Sequence, residues 1–125
     1  MNIQQKMAQK AFEKADSRSK VKVEFDKYLS FARGFPSLIH SCGLVQAVSF
    51  AKSKSTKSDA HKFFLEDLKA ILIVGDLISE KDDLIDYTRK AEQTKYLLLS
   101  RRALDAAVWL KRYSEALEPE KTENL

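Results

Sequence analysis

Apolar positions recur at helical spacing along nearly the whole chain, and the longest run is Thr94–Leu117, TKYLLLSRRALDAAVWLKRYSEAL. Tyr96, Leu99, Ala103, Ala106, Leu110, Tyr113 and Leu117 step alternately by three and four residues there. That spacing draws one apolar seam down about six turns of helix. Thr94 is placed as its N-cap. Leu98, Trp109 and Ala116 widen the seam on one side and Ala107 on the other, which predicts a helix buried inside a bundle. The exposed remainder is a narrow wedge of Arg101, Asp105 and Arg112, edged by Arg102 and Lys111.

Shorter amphipathic segments precede it. Ile3, Met7, Ala8, Ala11, Phe12 and Ala15 predict a first helix over Asn2–Asp16, broken by Asp16-Ser-Arg-Ser. Val21, Phe25, Tyr28, Leu29 and Ala32 predict a second over Lys20–Arg33, ending at Gly34. Pro36 suits the first position of a short helical turn over Pro36–Ser41, and Gly43 permits a left-handed or closely packed backbone. Leu44, Val45, Ala47, Val48 and Phe50 predict the next helix, and Lys52, Lys54 and Lys57 among Ser and Thr read as a basic loop. KAILIVGD resembles a buried strand, but His61, Phe64, Leu68, Ile71, Gly75 and Ile78 hold helical spacing across Asp59–Ile78, with Asp59 as cap. Ser79 and Asp82 are spaced as a capping box opening a helix through Leu84, Ile85, Tyr87 and Thr88. Lys90–Gln93 links it to the long helix, and the polar tail 118–125 is expected to fray.

The fold class that follows is all-α: one compact bundle of five to six helices over residues 1–125, with the C-terminal helix buried. Two prolines and three glycines in 125 residues are too few for the many turns of a sandwich or barrel. A single cysteine, Cys42, excludes an internal disulfide and a Cys-rich zinc site, and reads as a small core hydrophobe. The polar N-terminus and the lack of a membrane-length apolar run point to a soluble cytoplasmic protein with no membrane partner. The charge balance is +4, but residues 1–60 hold eleven Lys/Arg against five Asp/Glu, whereas residues 61–93 hold five against eight. That asymmetry suggests an acidic partner.

Catalytic signatures are nearly absent: no Gly-rich phosphate loop, no nucleophile elbow, no zinc motif. No catalytic residue, metal ligand or cofactor site is assigned. The strongest enzymatic foothold is Arg33-Gly-Phe-Pro-Ser-Leu-Ile-His40, whose Arg-x6-His spacing resembles that of helical HEPN ribonucleases. A histidine beside Leu38, Ile39 and Cys42 reads more simply as an edge-of-core residue. Glu66/Asp67 and Asp82/Asp83/Asp86 are acid pairs, but neighbouring carboxylates on a helix diverge by about 100° and read as solvated surface. Trp109 could stack a base, though its place beside the seam reads as core. Arg101 and Arg112 share one strip about 16 Å apart along the axis, a span comparable with a few nucleotides.

Two stretches carry a resemblance. PSLIHSCGLVQAVSFAKSK is similar to the P-x-x-I-x-x-x-G-L-x-x-A-x-x-F segment of the small helical subunit of the type III-B CRISPR Cmr effector complex, at Pro36, Ile39, Gly43, Leu44, Ala47 and Phe50. YLLLSRRALDAAVWLKRY resembles that family's C-terminal signature at Tyr96, Leu99, Ala103, Leu104, Trp109, Leu110, Lys111 and Arg112. The resemblance implies an all-helical, non-catalytic subunit of an antiviral complex. Its partners would be other Cmr subunits, neighbouring copies of itself stacked as a minor filament, and the guide RNA and target RNA. Lys52, Lys54, Arg101, Lys111 and Arg112 are the candidate RNA-binding residues, on charge and position rather than motif. A helical ribonuclease and an unrelated helical adaptor are the competing readings.

Overall fold

Asn2 opens the first helix through a reciprocal cap: its Oδ1 accepts the Gln5 N–H at 2.8 Å and its own N–H donates to Gln5 Oε1 at 2.9 Å. From there the computed structural model describes residues 1–119, an all-helical chain with no strand among the described residues. The six helices are α1 (Ile3–Ser19), α2 (Lys22–Cys42), α3 (Leu44–Ser55), α4 (Asp59–Val74), α5 (Leu84–Lys90) and α6 (Gln93–Ala116). Buried residues from all six form one continuous cluster, with Phe25, Tyr28, Phe35 and Phe64 among its largest side chains.

Several boundaries differ from those the pattern predicts, each for a physical reason. α1 continues through Asp16-Ser-Arg-Ser, because Arg18 in its last turn is held by Asp67 on α4. α2 runs unbroken through Gly34 and Pro36. Pro36 forfeits one helical N–H, at a typical cost of about 3 kcal/mol, yet Phe25, Tyr28, Leu29, Ala32, Phe35 and Ile39 form one buried face across the interruption. Packing of that face outweighs the local breakers. The chain turns at Gly43 instead, whose φ of +85° lies where only glycine sits without strain.

Lys52 and Lys54 belong to the last turn of α3 and not to a loop. The serines that read as loop formers bond back along the helix: Ser53 Oγ donates to the Phe50 carbonyl and Ser55 Oγ to that of Lys52, both at 2.7 Å. Ser58, not Asp59, occupies the N-cap of α4 and accepts the His61 N–H. Asp82 turns back onto the N–H and hydroxyl of Ser79, at 2.9 and 3.1 Å, so this pair closes a turn and α5 starts only at Leu84. Glu92, not Thr94, caps α6 by accepting the Lys95 N–H at 3.0 Å.

The seam of α6 packs against α1, α2 and α4. Leu99, Ala103, Ala106, Ala107, Leu110 and Ser114 are buried, while Tyr96, Trp109, Tyr113 and Leu117 are half-buried against the core. The buried face is therefore turned toward Ala107 and Ser114, and Leu98 and Ala116, expected inside, are exposed. Cys42 is exposed too, since it ends α2 one residue before the Gly43 turn. The expectation of a frayed tail falls, beyond Pro119, outside the described residues.

Candidate nucleic-acid interface

The five basic candidates fall on two separate surfaces. Lys52 and Lys54 are exposed at the C-terminal end of α3, where Lys52 borders a hollow of mixed charge with Lys62, Glu66 and Lys69 of α4 and with Asp83. Arg101 and Arg112 are exposed and Lys111 half-buried on α6. The hydrogen bond joining α3 to α6 lies at the opposite end of α3, where the Val45 N–H donates to the Tyr96 hydroxyl at 3.2 Å. None of the five forms an ion pair among the described residues, whereas Arg102 stands 3.8 Å from Asp105. Arg101 also has unexpected neighbours: Leu97 is 60% and Leu98 42% exposed, so apolar surface adjoins the cation.

The Arg33/His40 pair is separated in role. Arg33 is bound to Glu115 at 3.2 Å and to Glu118 at 3.0 Å, an inter-helix clamp on the end of α6. His40 is exposed and not an edge-of-core residue, because α2 continues past Pro36 and turns this position outward.

The Glu66/Asp67 pair is not one surface feature. Glu66 is exposed, but Asp67 is wholly buried among Arg18 and Tyr28. Hydrogen bonding to Asp67 raises the Arg18 pKa, and burial, followed by the Asp67 charge, pushes the Tyr28 phenol well above its ordinary range. Arg18 also stacks 4.2 Å above the Phe63 ring. The signal is present in the spacing, since Asp67 stands three residues after Phe64 on the apolar side of α4. Asp82 is engaged with Ser79 and Asp86 with Arg89 at 2.6 Å, and no group of metal-ligating side chains exists among the described residues.

An aromatic cluster near Lys54 is not apparent from the spacing. Phe50 lies off the buried stripe of α3 and is 44% exposed. Its ring lies 6.5 Å from Phe31 at an interplanar angle of 27°, and Phe31 in turn is 4.1 Å from the His61 ring. With Ser30, Gly34 and Leu38 these rings line a hollow of about 370 Å³. Lys54 Nζ is 5.4 Å from the centroid of Phe50, and partial burial, assisted by Lys54, lowers the His61 pKa.

Residues 3–117 match the family described as CRISPR-associated protein (Cas_Cmr5). A Thermus thermophilus protein named CRISPR system Cmr subunit Cmr5 is 37% identical over 110 residues, covering 88% of this chain and 90% of that one. The crystal structure of a CRISPR-associated Cmr5 family protein from the same organism superposes with a TM-score of 0.81 at 33% identity, covering 95% of this chain and 99% of that one. No described helix is long and apolar enough to cross a membrane. With sequence and fold matched over nearly its full length, the chain belongs to the Cmr5 family of CRISPR-associated proteins.

Proposed function

We propose that this chain is a non-catalytic small subunit of a type III-B Cmr effector complex in the cytoplasm, a single helical domain that stacks with copies of itself beside other Cmr subunits and helps hold guide RNA and target RNA. Family membership over residues 3–117 carries the reading. The name of the Thermus relative, a Cmr subunit, supports assembly with other subunits. Exposed Lys52, Lys54, Arg101 and Arg112, with Lys111 half-buried on α6, support phosphate contact, because cations that have no carboxylate partner among the described residues can exchange counterions for a backbone at little cost. Arg33 is committed to Glu115 and Glu118, which supports a role without RNA cleavage.

The test is purification from the native host, followed by RNA binding. The chain should copurify with other Cmr subunits and guide RNA. Its free form should bind single-stranded RNA in a salt-sensitive, sequence-tolerant way, and each lysine or arginine contact removed should reduce the slope of log K against log salt by roughly 0.7. RNA turnover that disappears in His40→Ala would instead favour the ribonuclease reading. A second reading is favoured for Arg101 alone: exposed Leu97 and Leu98 beside it suit a subunit contact better than a phosphate.

A further inference from the structure

We propose that the hollow bounded by Phe31, Gly34, Phe50 and His61 stacks one unpaired nucleobase of an RNA strand, with the adjoining phosphates resting on Lys54 and Lys27. This rests on the reading that the chain contacts RNA, and it names a site and a recognition mode that the basic side chains alone do not supply. Core packing does not explain Phe50: the buried stripe of α3 is Leu44, Ala47, Val48 and Ala51, and Phe50 stands off it with its ring half in solvent. Phe31 and His61 extend that ring into an aromatic wall. Gly34, three residues beyond Phe31, lies inside α2, where glycine weakens a helix. A Cβ built there meets no heavy atom within 4 Å, so packing within this chain does not require the glycine, and a long side chain at this position of the lining would take up space in the hollow.

The chemistry at the rim selects the occupant. Lys54 stands over the Phe50 ring, and Lys27, exposed one turn before Phe31, shares its face of α2. No carboxylate lines this hollow, unlike the one bordered by Glu24 and Asp59 beside Phe63. Aromatic rings, tilted to one another by 27° and 48°, with a lysine over one of them and a second on the neighbouring helix face, fit a base joined to a phosphate and disfavour a basic peptide. Stacking accepts any base, so the site is compatible with a subunit that holds RNA of changing sequence.

The experiment compares binding of a fluorescently labelled, adenine-rich single-stranded RNA with that of an abasic strand of equal length, by anisotropy across a salt series, using the full chain. Wild type should prefer the base-bearing strand. Phe50→Leu and Gly34→Leu should each weaken that strand about tenfold and abolish the preference, with an unchanged salt slope, whereas Phe50→Tyr should retain it. Lys54→Ala should lower the slope. Thermal melts confirm that each variant is folded. Equal binding by wild type and the folded Phe50→Leu and Gly34→Leu variants overturns the base site while leaving phosphate contact standing. Absence of any salt-sensitive RNA binding by wild type overturns both. Full base preference in those variants together with failed incorporation into the complex overturns the base site in favour of a partner side chain.

Discussion

Arg18 of α1 holds Asp67 of α4 through two guanidinium nitrogens, Nε to Oδ2 at 2.9 Å and Nη2 to Oδ1 at 2.7 Å. The Tyr28 hydroxyl of α2 donates to the same Oδ2 at 2.6 Å. Three helices thus converge on one carboxylate that has no exposure to solvent. Such a group is tolerated only while its partners remain, because an unpaired buried charge or donor carries its full desolvation cost. Arg18→Ala, which strands the carboxylate, should destabilise the chain by about 3–5 kcal/mol in urea denaturation. A loss under about 1 kcal/mol would show that the network does not tie the helices together.

Tyr28 makes the same network sensitive to alkali. Its phenol is held protonated above the usual range by burial and then by the Asp67 charge, so the unfolded chain ionises this group first. The contribution to stability is complete below the unfolded pKa of about 10 and is lost as pH rises from there through the raised folded value. Unfolding free energy should therefore fall more steeply above about pH 10 in wild type than in Tyr28→Phe. Parallel curves would remove Tyr28 as the cause.

Two leucines on α6 separate burial from mere apolarity. Leu110 is wholly buried, and Leu110→Ala should cost about 2–5 kcal/mol by opening a cavity among α1, α2 and α4. Leu98 is 42% exposed, and Leu98→Ala should lie within about 0.5 kcal/mol of wild type in the same assay.

The contrast between those leucines also marks what the pattern could disclose. A single seam of Leu99, Ala103, Ala106 and Leu110 fixes that α6 exists and which line of it is buried, because helical periodicity is local. Which way the stripe widens depends on neighbours: α1, α2 and α4 cover the Ala107 and Ser114 side and leave Leu98 bare. Pro36 and Gly34 are local breakers overruled by the burial of Phe35 and Ile39, a long-range effect that no window of residues contains. The basic candidates are visible as charges. Their division between the end of α3 and the face of α6, and the ring of Phe50 standing free of the core, are products of tertiary packing.

Gly34 and Gly43 should respond oppositely to alanine. Gly34 is helical with open space where a Cβ would go, so Gly34→Ala should stabilise by roughly 0.5–1 kcal/mol. Gly43 has φ +85° and a Cβ would sit 3.7 Å from the Tyr96 hydroxyl, so Gly43→Ala should destabilise through backbone strain, by about 1 kcal/mol or more, although space is available. Melting temperatures of the two variants, shifted in opposite directions, would check both.

Leu97 and Leu98 decide what the outer face of α6 touches. They are 60% and 42% exposed within one turn of Arg101, whereas a strip built for phosphate alone needs cations and no apolar border. If another Cmr subunit covers this face, Leu97→Ser combined with Leu98→Ser should reduce incorporation into the complex sharply. Melting of the free chain should change by little, since neither side chain belongs to the core cluster. RNA binding by the free chain should keep its affinity and salt slope, because no charge has been removed. Arg101→Ala should then behave like the leucine variant, and Lys52→Ala with Lys54→Ala should show the reverse pattern of normal assembly and a shallower salt slope. Normal assembly of the leucine variant, together with a reduced slope for Arg101→Ala, would return Arg101 to the RNA-facing surface.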